Sequence, residues 1–379
     1  MTPADTSSPR HFDLIVVGAG IVGLAHAYTA ARRGLKVCVV ERDAACVGAS
    51  IRNFGFITVT GQGAGDTWRR ARRAREVWGE VAPQAGIDAV HHGLYLTAFR
   101  PRAHTVLEAF MRTAMAEGCE LLDVGEAARR APVLQLGGAQ SVLYSPHEMR
   151  VESRTAIGLL TRWLQEAHGV VFRFSEAVLE VATPHVRTSR AVLHAERVVV
   201  CTNTDINGLF AERLAPHALR LCLLHMLRVQ PEPGFKLPGS VMADLSLVRY
   251  HGYSQLPEAA PLLEQMRREE GESLDNGIHL IVVQSADGSL VVGDSHHYGA
   301  APEPFANQRV DDLILEHLHK TLKLQQSRVT ERWVGIYPSS ASTDCLIDKP
   351  DGATRVVLVT SGTGASTAFG IAEDVFGDW

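Results

Sequence analysis

The chain has 379 residues, 46% of them hydrophobic, enough to bury a substantial core and long for one domain but ordinary for two interleaved ones. With 42 acidic against 37 basic residues it lacks the basic excess that neutralises a phosphate backbone, so nucleic acid is not an expected partner. Its six cysteines (Cys38, Cys46, Cys119, Cys201, Cys222, Cys345) show no C-x-x-C pair, the opening MTPADTSSPRHFD is polar, and no apolar run nears the roughly 18 to 20 residues of a bilayer span; the expectations are no metal site, no membrane span and a cytoplasmic location.

In chain order, DLIVV (13–17), IVGLAHAYTAARR (21–33) and KVCVV (36–40) read as strand, helix and strand. Between the first two lies Gly18-Ala19-Gly20-Ile21-Val22-Gly23, a G-x-G-x-x-G in which each glycine has a physical task. Gly18 allows a tight turn, Gly20 lets the backbone approach a pyrophosphate, and Gly23 lets the helix pack closely on the sheet. The helix N-terminus then offers amides and a positive dipole end to phosphate. Glu41, ending the second strand roughly 20 residues on, is placed to accept hydrogen bonds from ribose hydroxyls, and its charge argues against NADP.

Beyond Asp66, TWRRARRAREVWGEV puts Ala71, Ala74, Val77, Trp78 and Val81 on one helix face, leaving the arginine run as a solvated face rather than an anion site. GLYLT (93–97) reads as a strand and VLEAFMRTAMAEG (106–118) as a helix. Ser153 is a plausible N-cap for RTAIGLLTRWLQEA, which feeds VVFRF (170–174), AVLEVA (177–182) and AERVVVCTN (195–203), strands that resume the first domain. From about Leu221 the pattern changes to alternating strands, LHMLRVQ (224–230), GIHLIVVQ (277–284) and SLVVGDS (289–295), the last two joined as a hairpin by Asp287-Gly288. VVLVTSGTGASTAFGIAEDV (356–375) closes the chain as strand, glycine turn and helix.

The fingerprint alone serves NAD and FAD alike, and two further segments favour FAD. The loop GASIRNFGF (48–56) offers Ser50 and Asn53 to a pyrophosphate and ribityl chain. The turn Gly362, Thr363, Gly364, Ala365, Ser366, Thr367 places a second helix N-terminus where it stabilises the negative charge of a reduced flavin. A nicotinamide-dependent dehydrogenase would use the fingerprint without this turn. A non-catalytic FAD-binding scaffold would use both without chemistry.

Together these residues resemble the D-amino acid oxidase, glycine oxidase and sarcosine oxidase family of flavoproteins over essentially the whole chain. The resemblance implies an α/β fold in which an FAD-binding, Rossmann-like domain (1–80, 145–220 and 330–379) interleaves with a substrate domain (81–144 and 221–329) built on an antiparallel sheet. It implies FAD contacts from Gly18 to Gly23, Glu41, Arg42, Ser50, Asn53, Val178 (through its backbone, to the adenine), Thr202, Asn203 and the turn Gly362 to Thr367. More narrowly, GASIRNFG, HMLRV, DSHHYG and RWVGIYPS resemble a subgroup associated with bacterial aminophosphonate breakdown, although that subgroup carries a histidine where Thr363 stands.

The family's chemistry is amine oxidation, which needs a neutral amine with its C–H aimed at the flavin more than a strong base. Members acting on amino acids clamp the carboxylate with an arginine shortly after a W-x-G stretch. Here Trp333-Val334-Gly335-Ile336-Tyr337-Pro338 is followed by small polar residues, so an ordinary α-amino acid is a poor fit and a phosphonate-bearing small amine a better one. Arg52, Arg249, His296, His297 and Lys349 remain as cations for such an anion; Arg52, Tyr250, His296 and Tyr337 are the candidate catalytic residues. Covalent-flavin members carry a cysteine where Gly335 stands, so the expected FAD is non-covalent, with oxygen its expected electron acceptor. His225 reads as a core histidine, and the adjacent His296 and His297, pointing opposite ways on an extended chain, make a poor zinc pair.

Overall fold

The computed structural model describes residues 11–379; the first ten residues of the polar opening, one basis for expecting a cytoplasmic location, lie outside the described residues. Two sheets organise the chain. In the first, the strands run in the order Cys345–Asp348, Thr354–Val359, Val192–Val200, His11–Val17, Val37–Val40 and Val171–Arg173. All neighbours are parallel except the Cys345–Asp348 edge, and a hairpin of Val178–Ala182 and His185–Thr188 leans on Val192–Val200.

The inner strands are apolar on both faces, as parallel strands covered on both sides must be: Val37–Val40 is buried throughout. One face carries the helices Ile21–Ala31, Asp66–Gln84, Ser153–His168 and Gly364–Gly377, whose Leu24, Trp78, Leu160 and Phe369 share a core with Leu14 and Val39. The predicted strand, helix, strand unit at the start of the chain and the strand, glycine turn, helix unit at its end are both present, and they lie side by side because His11–Val17 and Thr354–Val359 flank the same strand, Val192–Val200.

The second sheet is largely antiparallel. Arg220–Pro231 pairs along its whole length with Ser327–Ser339, and also with His297–Gly299 and Leu290–Gly293. The order continues through Ile281–Gln284, Ser240–Ala243, Ala89–Ala98, Ser141–Val151 and Phe56–Ile57. The predicted hairpin exists: Gln284 faces Leu290, and Gly288 takes a φ of +84°, the left-handed conformation that glycine supplies in such turns.

Three local expectations need correction. The helix placed at 106–118 is Pro101–Phe110: proline at its first position presets φ for a helical start, and the Thr113 hydroxyl takes the Phe110 carbonyl at its end. Ser153 does not cap its helix; Glu152 occupies the cap position, and the Ser153 hydroxyl donates instead to the Asn53 carbonyl at 3.0 Å. The arginines after Asp66 are not merely solvated. Arg69 and Arg70 both reach Asp374 at 2.7 Å and Arg73 reaches Glu373 at 2.7 Å, tying this helix to the C-terminal one.

Candidate active site

A cavity of about 770 Å³, within the range of cofactor and ligand pockets, opens along the C-terminal ends of the parallel strands and extends to the second sheet. At its first end Gly18 adopts a φ of +102°, and a Cβ there would stand 2.6 Å from the Cys201 carbonyl oxygen. A Cβ on Gly23 would lie 2.0 Å from the Gly18 oxygen, so only glycine lets this turn close against its helix. The helix Ile21–Ala31 has glycine at its cap position and so no capping side chain of its own, leaving amides of its first turn beyond Ile21 open to a ligand.

Two side chains hold this turn in place. Glu41 Oε2 accepts from the Ala19 amide at 2.8 Å while its Oε1 accepts from Asp43 N at 3.0 Å. Ser50, on a short 3-10 turn, accepts from Ile21 N at 2.9 Å through its hydroxyl. Asn53 is occupied within its own loop: its amide donates to the Ala49 and Ser50 carbonyls and its oxygen accepts from Gly55 N. Arg42 pairs with Asp205 at 3.1 Å at the cavity mouth, where Val178, Thr202 and Asn203 also line the wall.

The C-terminal turn supplies the next stretch. Gly362, Thr363, Gly364, Ala365 and Ser366 line the cavity, and the helix Gly364–Gly377 likewise starts without a side-chain cap. Of the predicted cofactor residues, Ala19 and Thr367 are outside the lining. Ala19 contributes its amide to Glu41, and the Thr367 hydroxyl turns back to donate to the Thr363 carbonyl at 3.0 Å.

The second sheet closes the other end, and the four predicted catalytic residues Arg52, Tyr250, His296 and Tyr337 all line it. So does Arg249, whose Nη2 donates to the Tyr298 hydroxyl at 2.9 Å; among the described residues it has no carboxylate within ion-pair distance. His297 faces away and packs its ring on His225, itself bonded to Asp311 at 2.9 Å as a core histidine would be. Lys349 pairs with Asp378 away from the cavity and cannot meet a ligand there.

Two wall residues were not singled out from the sequence, His279 and Asp294. His279 and His296 stack at 5.3 Å with 22° between their planes, and Tyr250 meets His279 edge-on at 5.4 Å. Asp294 Oδ1 lies 3.2 Å from His279 Nε2, and its Oδ2 3.7 Å from His296 Nε2. Burial holds both imidazoles well below the ordinary histidine range, with the Arg249 charge acting the same way. Burial raises Asp294 from 3.8 to about 7 despite the opposing pull of Arg249. The three donor groups lie within 4.8 Å of one another, close enough to consider a metal. With the Arg249 charge on the same wall repelling a divalent cation, they read instead as a hydrogen-bonding acid and imidazole group. Counting outward along the hairpin in its register, Gln284 with Leu290 and Ile281 with Gly293, would set Leu280 opposite Asp294; the register slips by one beyond Gly293, so that His279 and Asp294 each bond the other's carbonyl through the backbone amide, and the sequence alone does not mark the pair.

A glycine turn on a helix N-terminus, an acid at the next strand end and a second uncapped helix on the same cavity define a dinucleotide-dependent enzyme of two interleaved sheets. The chain belongs to the FAD dependent oxidoreductase (DAO) family, whose model matches residues 13–376. It is an FAD-dependent oxidoreductase, which sets aside the nicotinamide alternative. No curated protein matches the sequence. Among solved structures, L-proline dehydrogenase from P. horikoshii aligns at a TM-score of 0.77 and 16% identity, covering 97% of this chain and 92% of its own. Glycine oxidase from Geobacillus kaustophilus aligns at 0.75 and 17% identity, covering 97% and 94%. The FAD-bound, dithionite-reduced L-alpha-glycerophosphate oxidase from Mycoplasma pneumoniae aligns at 0.72 and 16%, covering 97% and 95%. Among the described residues, no helix is long and apolar enough to cross a membrane.

Proposed function

We propose that this flavoenzyme oxidises a small primary or N-methylated amine that carries an anionic group, with phosphonate as the favoured anion. The observation that carries the reading is Arg249, a guanidinium in the substrate end of the cavity with no carboxylate partner among the described residues. Arg249 is half-buried, and a partly desolvated cation without a counter-ion is a ready site for an anionic ligand. The absence of an arginine after Trp333-Val334-Gly335 and the likeness of GASIRNFG and DSHHYG to the aminophosphonate subgroup favour phosphonate over the carboxylate of an α-amino acid.

The glycine turn and the first helix would hold the FAD pyrophosphate, Glu41 the ribose and the Val178 backbone the adenine. The amides from Gly362 to Ser366 would face the flavin ring. FAD, once bound, supplies the acceptor for the hydride leaving the substrate carbon. Gly335 supports a non-covalent cofactor, since even a Cβ there would meet the Arg52 oxygen and the Leu224 side chain at 3.3 Å. Arg249 clamps the anion, Arg52 flanks it, and Tyr250 and Tyr337 wall the cavity so that the amine-bearing carbon faces the flavin. The oxidised product, an imine, hydrolyses to a carbonyl compound. Oxygen as the electron acceptor and a cytoplasmic location complete the reading.

The test is anaerobic bleaching of the bound flavin by 2-aminoethylphosphonate and its N-methyl derivative against glycine, sarcosine and D-alanine. Preference for the phosphonates is expected, and preference for the amino acids, or bleaching by none of these amines, refutes the reading. Arg249→Met is expected to keep its FAD and lose about 100-fold in the second-order rate of reduction.

A further inference from the structure

We infer that Asp294 is the group that takes the proton from the substrate's ammonium, and that His279 and His296 hold its carboxyl in place for that step. The inference rests on the reading of the substrate as an amine bearing an anion. Arg249 and Asp294 line one cavity yet make no ion pair with each other within 4.0 Å. Opposite charges held apart on one wall complement a zwitterion, whose anion meets the guanidinium and whose ammonium meets the carboxylate.

The hydrogen bonding of Asp294 points the same way. Its side chain is 7% exposed, and its Oδ1 has no hydrogen-bond donor among the described residues. A buried acceptor left open is unfavourable and calls for an explanation, which an N–H of the bound substrate provides. The neighbours are suited to the protonated form. With its Nδ1 donating to the Gly277 carbonyl at 2.9 Å, His296 presents Nε2 as a lone pair. His279 sets Nδ1 toward the Ser246 hydroxyl at 3.5 Å and Nε2 toward Asp294. The imidazole nitrogen within reach of a carboxyl O–H on Asp294 is His279 Nε2, 3.2 Å from Oδ1, with His296 Nε2 farther off at 3.7 Å from Oδ2, and neutral imidazoles add no charge to compete with the substrate's ammonium.

An ammonium has no lone pair, so its nitrogen cannot form the C=N bond as hydride departs. Transfer of one N–H proton to Asp294 leaves the electron pair on nitrogen. The C–H bond then breaks with both its electrons going to the oxidant that the family's activity already supplies, and the nitrogen pair forms the C=N bond. The proton on Asp294 returns to water when product leaves. The titratable and charged groups facing Asp294 are His279, His296, Arg249, Tyr250 and Cys222. Burial keeps both imidazoles neutral, holds Tyr250 protonated and raises Cys222 to about 11, so near neutrality Asp294 is the one that titrates.

The experiment uses full-length FAD-loaded wild type and Asp294→Asn, with anaerobic stopped-flow reduction by 2-aminoethylphosphonate from roughly pH 6 to pH 10. In parallel, ethylphosphonate, which lacks the amine, is titrated against the visible spectrum of the oxidised flavin. Wild type is expected to lose its second-order reduction rate below about pH 7. In Asp294→Asn that limb should move up to where the free amine itself deprotonates, with a loss of about 100-fold near pH 7.5 that closes at high pH. Ethylphosphonate affinity should stay within about twofold, since the anion site is intact. An unmoved limb, or equal loss of rate at every pH, overturns the inference.

His279→Gln guards against a poorly folding Asn variant; it should shift the limb without changing FAD content or ethylphosphonate affinity, and an unshifted limb counts against the role given to His279. If glycine or sarcosine proves the faster reductant, the phosphonate reading fails while Asp294 is judged on that zwitterion by the same limb. If only amines without an anion reduce the flavin, both fall.

Discussion

The two ends of the cavity are built from different materials. At the nucleotide end the ligand-facing groups are main-chain amides and small side chains, set by a glycine turn that Glu41 and Ser50 pin through backbone hydrogen bonds. At the substrate end they are large titratable side chains, Arg249, Tyr250, His279, Asp294, His296 and Tyr337, brought from segments far apart in the chain and held in a wall of the second sheet. The first end is specified by what the backbone can do and the second by what burial does to charge. Substitutions at the two ends should therefore fail in different ways.

The largest effect belongs to the nucleotide end. Gly23→Ala adds a Cβ that would sit 2.0 Å from a backbone oxygen, which cannot swing aside as a flexible side-chain tip would. The turn or the helix must move, and a cost of about 3 kcal/mol is expected from the overpacking. FAD should be lost with it, measured as flavin absorbance per protein after gel filtration and as a lowered urea midpoint. A yellow variant of undiminished stability would break the comparison, because the turn would then not be set by backbone contact.

At the substrate end, removing a charge should stabilise the fold. Burial lifts Asp294 from 3.8 to about 7, so between those values the folded protein keeps a proton that the unfolded chain has released. The stability this proton linkage contributes is full below about pH 4 and declines as pH rises to about 7, beyond which the buried carboxylate is ionised in both states. Asp294→Asn escapes that decline. Its stability relative to wild type should grow by about 2 kcal/mol between pH 5 and pH 8, read from urea midpoints at the two values. A constant difference would mean that Asp294 titrates in the fold as it does in solvent, and would remove the burial of charge as what distinguishes this end.

The same contrast explains which features were legible in the sequence. Gly18, Gly20 and Gly23 could be assigned tasks because a strand-to-helix turn constrains residue type over six consecutive positions, and the acid at Glu41 follows within the same local unit. The hairpin at Asp287-Gly288 was legible for a similar reason. Arg249 carries no such mark: it follows the turn Asp244–Val248, and only tertiary packing brings it to Tyr298 and to the hairpin that carries Asp294. Nor does Asp294 look different from a surface aspartate until the sheet buries it beside His279. The arginines after Asp66 were misjudged for the complementary reason, since their partners Glu373 and Asp374 lie on a helix at the far end of the chain.

The smallest effect is expected at Glu41, and it separates the two materials most finely. Both carboxylate oxygens accept from backbone amides, at 2.8 Å from Ala19 N and 3.0 Å from Asp43 N. Glu41→Gln keeps the shape but replaces one acceptor by an NH₂ donor, which must face one of those amides or turn away and leave it unpaired. The cost should be about 1 kcal/mol in stability, with FAD binding weaker by about tenfold because the ribose acceptor is weakened along with the turn. Titration of apoprotein with FAD, followed by the quenching of flavin fluorescence, measures the second figure. A loss as severe as that of Gly23→Ala would mean that the carboxylate charge, rather than the glycine turn, carries the nucleotide end. A loss near tenfold leaves the backbone as its principal ligand, with Glu41 acting to hold Ala19 and Asp43 where the turn needs them.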